Sequence, residues 1–298
     1  MPYPDANAYA ITTPSTSLDP RSNGLSGLIG NAHTGRATAN GLAGTPMPPF
    51  AFNFVPVTVP SGAYLSRGAD LTGTITAISR MTFAFTITPS DVSGVHTILQ
   101  TDDGIIDETV RIWIETSEVS SQTKARLWLA VGSTGTTGMV AKHFVANFTP
   151  VPGQTYNVQI ALNNTLGVSA GVVVFINGSQ YLVDAGAPVD FWRNATAINL
   201  SGDVTNWRIF RGFSAANQFL GTCGLLYVVF GTTDAAYITD PTVFFNGGSA
   251  KEFAAGLGTT IPNPIILFGY DQAVATWQAG TARTPATGGN WTATGTFT

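Results

Sequence analysis

The amino-acid sequence predicts an all-β protein, a two-sheet antiparallel sandwich, and three observations carry that prediction. Apolar residues recur with period two in segment after segment, the pattern of half-buried strands. The chain of 298 residues holds 33 Gly and 17 Pro, enough to punctuate many short strands with turns. No helical period persists beyond about one turn, so the strands are not alternating with helices as they do in α/β folds.

The elements follow in chain order. Residues 1–50 carry Pro, Gly, Ala, Ser, Thr and Asn without any period and end in GTPMPPF, which predicts an extended N-terminal arm. Its scattered Tyr3, Tyr9, Leu25, Leu28 and Ile29 suit docking on a neighbour; a tail without fixed structure is the other reading of the same composition. From Phe52 the period becomes two. MTFAFTIT places Met81, Phe83, Phe85 and Ile87 on one face and Thr82, Ala84, Thr86 and Thr88 on the other. TVRIWIE turns Val110, Ile112 and Ile114 inward, KARLWLAV does the same with Ala125, Leu127, Leu129 and Val131, and a loop over Thr116–Thr123 joins them as an antiparallel pair. YNVQIAL follows, with Tyr156, Val158, Ile160 and Leu162 inward. In GVVVFINGSQYLV, Asn177-Gly178 separates two apolar runs, the strongest short-range signal for a tight β-hairpin. NWRIFRG and GLLYVVFG are further strands. The sandwich is thus expected over 51–240, and 241–298 reads as a strand-turn extension packed on it, since Ile265, Ile266, Leu267 and Phe268 need burial.

Composition narrows the partners. Only 10% of residues are charged and 44% are hydrophobic, against about 25% charged in an ordinary soluble domain; much of the surface is therefore expected to lie against other subunits, in a homo-oligomer or larger assembly. A net charge of −4, with ten Arg and three Lys scattered singly, provides no basic stripe for a phosphate backbone, which argues against nucleic acid. The N-terminus lacks a charged-then-apolar leader pattern and no run reaches about 18 apolar residues, so synthesis and folding in a cytoplasm, without a membrane, are expected. The single cysteine, Cys223, lies in an apolar run and reads as a buried, inert thiol. Asn-x-Ser/Thr matches such as Asn194-Ala195-Thr196 are products of a Thr-rich sequence.

Read in order, AYLSRGADLTG, MTFAFTIT, HTILQTDDG, RIWIE, YNVQIALNNTLGVSAGVVVFINGSQY and FLGTCGLLYVVFG resemble the laminin-G-like, or concanavalin A-like, jelly rolls. Val174-Phe175-Ile176-Asn177-Gly178 matches that family's hairpin, and Phe219-Leu220-Gly221 through Val229 its late strand. The resemblance covers roughly residues 60–235 and implies a shape rather than an activity; the family includes glycan binders, adhesion modules, glycosidases and structural virion parts. Phe244-Phe245-Asn246-Gly247-Gly248, Ile261 to Ile266 and Gly288-Gly289-Asn290-Trp291-Thr292 resemble the tails of phage and prophage virion proteins carrying such a domain.

A glycosidase on this fold presents paired carboxylates on one strand, about 5 Å apart. That motif is absent: of the four Glu, at 108, 115, 118 and 252, Glu115 has no carboxylate two or four residues away on its strand face. The three histidines, His33, His96 and His143, have no metal-ligand spacing. No catalytic residues are therefore assigned, and the chain is expected not to be an enzyme. The loop TDDGIIDE clusters Asp102, Asp103, Asp107 and Glu108, hard oxygen ligands of the kind Ca²⁺ requires; turn chemistry alone accounts for Asp103-Gly104 as well. On the polar strand faces, Arg111, Trp113 and Glu115 alternate outward on one strand, and Lys124, Arg126 and Trp128 on the next. As one patch, Arg111, Trp113, Glu115, Arg126 and Trp128 suit a glycan, indoles stacking on sugar rings and charged groups fixing hydroxyls. The competing reading is a cross-strand indole pair that is covered. The resulting expectation is a structural protein of a bacteriophage virion: a capsid decoration, fibre or tail-associated part, attached to other virion proteins through its arm and made in the host bacterial cytoplasm. The alternative is a carbohydrate-binding adhesin recognising a host surface glycan.

Overall fold

The structure, a computed structural model, describes residues 56–67, 77–102, 108–119, 121–132, 139–183, 191–192, 198, 206–212, 214–246, 249–250, 262, 264–268, 274–280 and 291–298. Strands β1 (Val57–Val59), β2 (Tyr64–Arg67), β3 (Arg80–Pro89), β4 (Val95–Asp102), β5 (Glu108–Val119) and β6 (Gln122–Gly132) come first. They are followed by β7 (Met139–Phe144), β8 (Tyr156–Asn163), the single turn α1 (Val168–Gly171), β9 (Val172–Ile176), β10 (Ser179–Tyr181), β11 (Phe191–Trp192) and β12 (Asn206–Ile209). Then come β13 (Gly221–Gly231), the ribbon of β14 (Phe245–Asn246) and β15 (Ser249–Ala250), β16 (Ile266–Phe268), helix α2 (Val274–Gln278) and β17 (Thr292–Thr294). Residues 1–50, expected to form the arm, lie outside the described residues, as does 103–107 of the acidic loop.

The strands form the antiparallel two-sheet sandwich that the period-two pattern predicts. Seven described strands make one sheet, ordered β1-β13-β3-β8-β9-β10 with β16 also pairing β13, and eight make the other, ordered β11-β7-β6-β5-β4-β12-β2-β17. The faces turned toward each other carry the core. Met81, Phe83, Phe85 and Ile87 of β3 meet Tyr156, Val158, Ile160 and Leu162 of β8, and Val110, Ile112, Ile114, Leu127, Leu129 and Val131 answer from the opposite sheet. Cys223 belongs to the same core, and burial pushes its thiol far above the ordinary range, so no nucleophilic thiolate forms there. The segment 241–298 supplies strands to both sheets, β16 against β13 and β17 against β2, and places Ile266, Phe268, Trp277, Trp291 and Phe297 in the core.

The first sheet is buried on its outer face as well. A β-bulge between Cys223 and Leu226 shifts the strand's alternation by one residue, so Cys223 and Leu226 both lie in the main core while Leu225 lies outside it. With Ala84, Tyr227, Val229 and Leu267, Leu225 forms a second apolar layer against Ala236, Phe244, Phe245 and Ala250. Polar pins hold this cover: Thr82 donates to Ala236 O at 2.7 Å, Gln159 Nε2 to Ile238 O at 2.6 Å, and Tyr227 Oη to Pro262 O at 2.7 Å. Gln218 ties the two sheets where β1 turns into β2. Its amide donates to Pro60 O and Ala63 O and accepts from Gly62 N, while His96 Nδ1 lies 2.9 Å from its backbone oxygen.

The loop expected over Thr116–Thr123 is shorter in the structure. The strands stay paired to Val119 and Gln122, leaving a two-residue turn with Ser121 at φ 64°. The physical reason is Arg126, whose guanidinium gathers the carbonyls at the hairpin end, as described below.

The β9–β10 hairpin has the geometry its sequence predicts. Asn177 and Gly178 sit at φ 51° and 80°, the two positive values a type I′ turn demands. Asn177 Oδ1 also accepts from Asn157 N, and Asn177 N donates to Asn157 O, both at 2.8 Å, which fixes the turn to β8. A Cβ at Gly178 meets open space, so Gly178→Val acts through backbone strain alone. It is expected to cost about 1–2 kcal/mol, read as a fall of several degrees in Tm. Gly221→Ala is expected to cost more, because its Cβ would stand 2.1 Å from Thr88 O, in the backbone of the neighbouring strand. Melting curves of the two variants check both; an unchanged Tm for Gly178→Val contradicts the turn assignment.

Candidate functional site

The site is built on the long β5–β6 hairpin, whose inward residues are locked into the core and whose outward residues are therefore fixed in register. Trp113 stands directly opposite Trp128, and Trp128 opposite Phe144 of β7. The indoles stack with planes 10° apart and centroids 5.6 Å apart, and Phe144 tilts against Trp128 at 5.0 Å. With Val119 and Ala130 they form a small apolar cluster separate from the main core.

All five residues expected to bind glycan share this face, but the structure gives them other partners. Trp113 and Trp128 are each only 3% exposed. Arg111 lies over the Trp113 ring, 4.6 Å from its centroid, and Lys142 Nζ stands 5.6 Å from Trp128 and 6.0 Å from Trp113. Cations attracted to the negative faces of the rings thus cover the surfaces on which a sugar would stack. Trp113 Nε1 donates to Glu115 Oε2 at 2.7 Å, which engages that carboxylate on its own strand. Arg126 is 2% exposed and points into the hairpin end. Its Nη1 donates to Ser117 O and Lys124 O, its Nη2 to Gln122 O at 2.8 Å and Val119 O at 3.4 Å, and it lies 5.3 Å from the Phe144 ring. In this arrangement the two indoles are closed by stacking and by cations, and Arg126 holds a turn.

Sequence reasoning missed Lys142, which caps the pair. The period in MVAKHF puts Lys142 and Phe144 on one strand face; what the period does not reveal is that β7 pairs with β6. It also missed Arg208. That residue lies opposite Gln100 of β4, which in turn lies opposite Arg111, a neighbourhood made by pairing segments about a hundred residues apart in sequence.

The acidic loop is only partly in view. Asp102 ends β4 and Glu108 begins β5, opposite one another in register; Asp103 and Asp107 lie outside the described residues. A separate cleft of about 390 Å³ opens at the end of the first sheet between β1, β3 and β13, lined by residues such as Thr58, Pro60, Ser61, Thr88, Pro89 and Thr222. None of the described residues that line it is ionisable. Among the described residues no helix is long and apolar enough to cross a membrane.

No family model matches this sequence, and no curated protein matches it. Solved structures do. The chain is similar to a candidate carbohydrate-binding protein from Bacteroides ovatus, at 15% identity and TM-score 0.50 over 82% of this chain and 59% of that one. It is also similar to domains LG4-5 of the mouse laminin α1 chain (10% identity, TM-score 0.40, 66% of this chain and 48% of that one). A third is the enzymatically active domain of tailspike protein 2 from bacteriophage CBA120, at 17% identity and TM-score 0.39 over 68% of this chain and 32% of that one. The chain thus spans less than two thirds of each of these proteins. The likeness is one of fold, an antiparallel jelly-roll sandwich.

Three substitutions test the packing. Trp113→Ala and Trp128→Ala are each expected to destabilise the fold by about 3–5 kcal/mol, since each empties a buried, stacked position. Arg126→Met is expected to cost about 1–3 kcal/mol by leaving the hairpin carbonyls without their donor. Denaturant titration measures all three, and full stability of either indole variant contradicts the packing described.

Proposed function

We propose that this chain is a structural, non-catalytic component of a bacteriophage particle, a jelly-roll decoration, fibre or tail-associated part attached through its N-terminal arm. The observation that carries this reading is the closure of the Trp113–Trp128 pair: a module built to stack neutral sugars keeps its indoles open, whereas one built for mechanical stability packs them. Three features support it further. The charge content of 10% suits a protein whose surface faces other subunits. The outer face of the first sheet carries an apolar layer packed under the chain's own 236–250 region. The C-terminal segments resemble those of phage virion proteins.

A second reading, an adhesin for a host surface glycan, is favoured by one observation: the cations Arg111 and Lys142 over the indoles are half-buried rather than sealed. On that reading the ligand meets charge before it meets a ring.

Mass spectrometry of purified particles from the host that carries this gene tests the primary reading. The chain is expected in the particle fraction, and deletion of residues 1–50 is expected to abolish incorporation while the remaining jelly roll still melts cooperatively. A chain confined to the cell lysate overturns the virion reading; normal incorporation of the truncated chain overturns attachment through the arm.

A further inference from the structure

At one end of the first sheet, hydroxyls line up across the strands. Val57, Val59, Ile87 and Cys223 point into the main core, so Thr58, Thr88 and Thr222, which alternate with them, face outward. Thr58 stands opposite Thr222 and Thr222 opposite Thr88, and Thr88 Oγ1 shares a hydrogen bond of 2.8 Å with Thr155 Oγ1. The row thus crosses β1, β13 and β3 and reaches the residue before β8, with strands about 4.8 Å apart. Pro60, Leu220 and Ser90 lie beside it, and with Thr58, Thr88 and Thr222 they line the cleft of about 390 Å³ described above. The three threonines, Pro60 and Leu220 are half-buried rather than sealed. The apolar layer on the rest of this face stops short of the cleft, since Ala236, Phe244, Phe245 and Ala250 line no part of it. The walls are tied in place. Ser90 N donates to Leu220 O at 2.9 Å, Gly153 N to Pro89 O at 2.7 Å, and Gln218 Nε2 to Pro60 O at 3.0 Å, so binding here orders little that is not already ordered.

We infer that this cleft binds a neutral pyranose, the end or a branch of an uncharged glycan. The inference goes beyond both readings above: the cleft lies on the other sheet from the Trp113–Trp128 pair and serves a virion part and an adhesin alike. Its chemistry selects the ligand. A threonine hydroxyl both donates and accepts, as a sugar hydroxyl does, and the interval between strands is also that between alternate equatorial hydroxyls of a pyranose ring. Pro60 and Leu220 offer an aliphatic wall to the ring's C–H groups. No ionisable side chain lines the cleft, so an acidic sugar brings a charge that meets no counter-charge. A wholly apolar ligand strips water from the threonine row without replacing its hydrogen bonds. The volume sits at the small end of the range for ligand pockets, about 300–1,000 Å³, which suits a single sugar unit better than a long stretch of chain.

The test is ligand-observed NMR of the full chain with maltotriose, mannotriose, galactotriose and chitotriose, beside the acidic sialyllactose, at low and at physiological salt. At least one of the four neutral sugars is expected to bind, with an affinity that salt leaves unchanged because no charge pair forms. The double variant Thr58→Val with Thr222→Val keeps the branched shape and removes two hydroxyls; it is expected to lose roughly tenfold in affinity, two hydrogen bonds together. The pair Thr58→Ser with Thr222→Ser keeps the hydroxyls and is expected to retain binding, which separates loss of hydroxyls from loss of fold, and melting curves accompany each variant. Equal affinity of the folded Val variant, or loss of binding in the folded Ser variant, overturns the inference. Binding of sialyllactose alone, weakening as salt rises, overturns it while the adhesin reading stands; binding of none of the five sugars overturns the inference and counts against that reading as well.

Discussion

β13 is apolar on both of its faces, and the rest of the molecule is arranged to cover it twice. Cys223, Leu226 and Val228 reach into the sandwich, while Leu225, Tyr227 and Val229 face away from it. A single opposing sheet shields only the first set. The second needs another layer, which the 234–250 region supplies, with Tyr227 and Phe244 in ring contact at 4.7 Å and the Tyr227 hydroxyl given an acceptor in Pro262 O. Burial of that hydroxyl, which pushes its pKa far above the ordinary tyrosine range, is tolerable because it donates. The bulge at Cys223/Leu226 is part of the same solution, since it offsets the register by which one strand serves two layers.

The second sheet solves the same problem with cations. Its outer aromatic cluster is small, and the stems of Arg111 and Lys142 bring charged heads over the rings. An aromatic layer covered this way is apolar toward the strands and polar toward water. The chain's own 234–250 region covers the outer layer of the first sheet, whereas side chains of the second sheet itself cover its indoles. Arg126 shows how position decides role: directly opposite Glu115 on the same face, it is buried at the hairpin end and serves the hairpin carbonyls.

Much of the fold was legible before any coordinates. The inward sets of β3, β5, β6 and β8 follow from period two, because a strand's alternate side chains must face opposite sides. Asn177-Gly178 marked its turn because few residue pairs accept positive φ twice in succession. The shared face of Arg111, Trp113, Glu115, Arg126 and Trp128 was legible for the same reason as the core. Its chemistry was not, since exposure depends on what lies over a residue, and Lys142 arrives from another strand.

The sequence by itself determined which residues form strands, which side of each strand is apolar, and how few and scattered the charges are; these are local or compositional properties, decided by backbone geometry and by counting. Only the tertiary structure decided that Trp113 and Trp128 are closed, that Arg126 plugs a turn, and that Arg208, Arg111 and Lys142 fall on one rung. Each of these depends on strand pairing between segments distant in sequence, such as β12 with β4, and pairing is chosen by the burial of the whole sandwich rather than by any one segment.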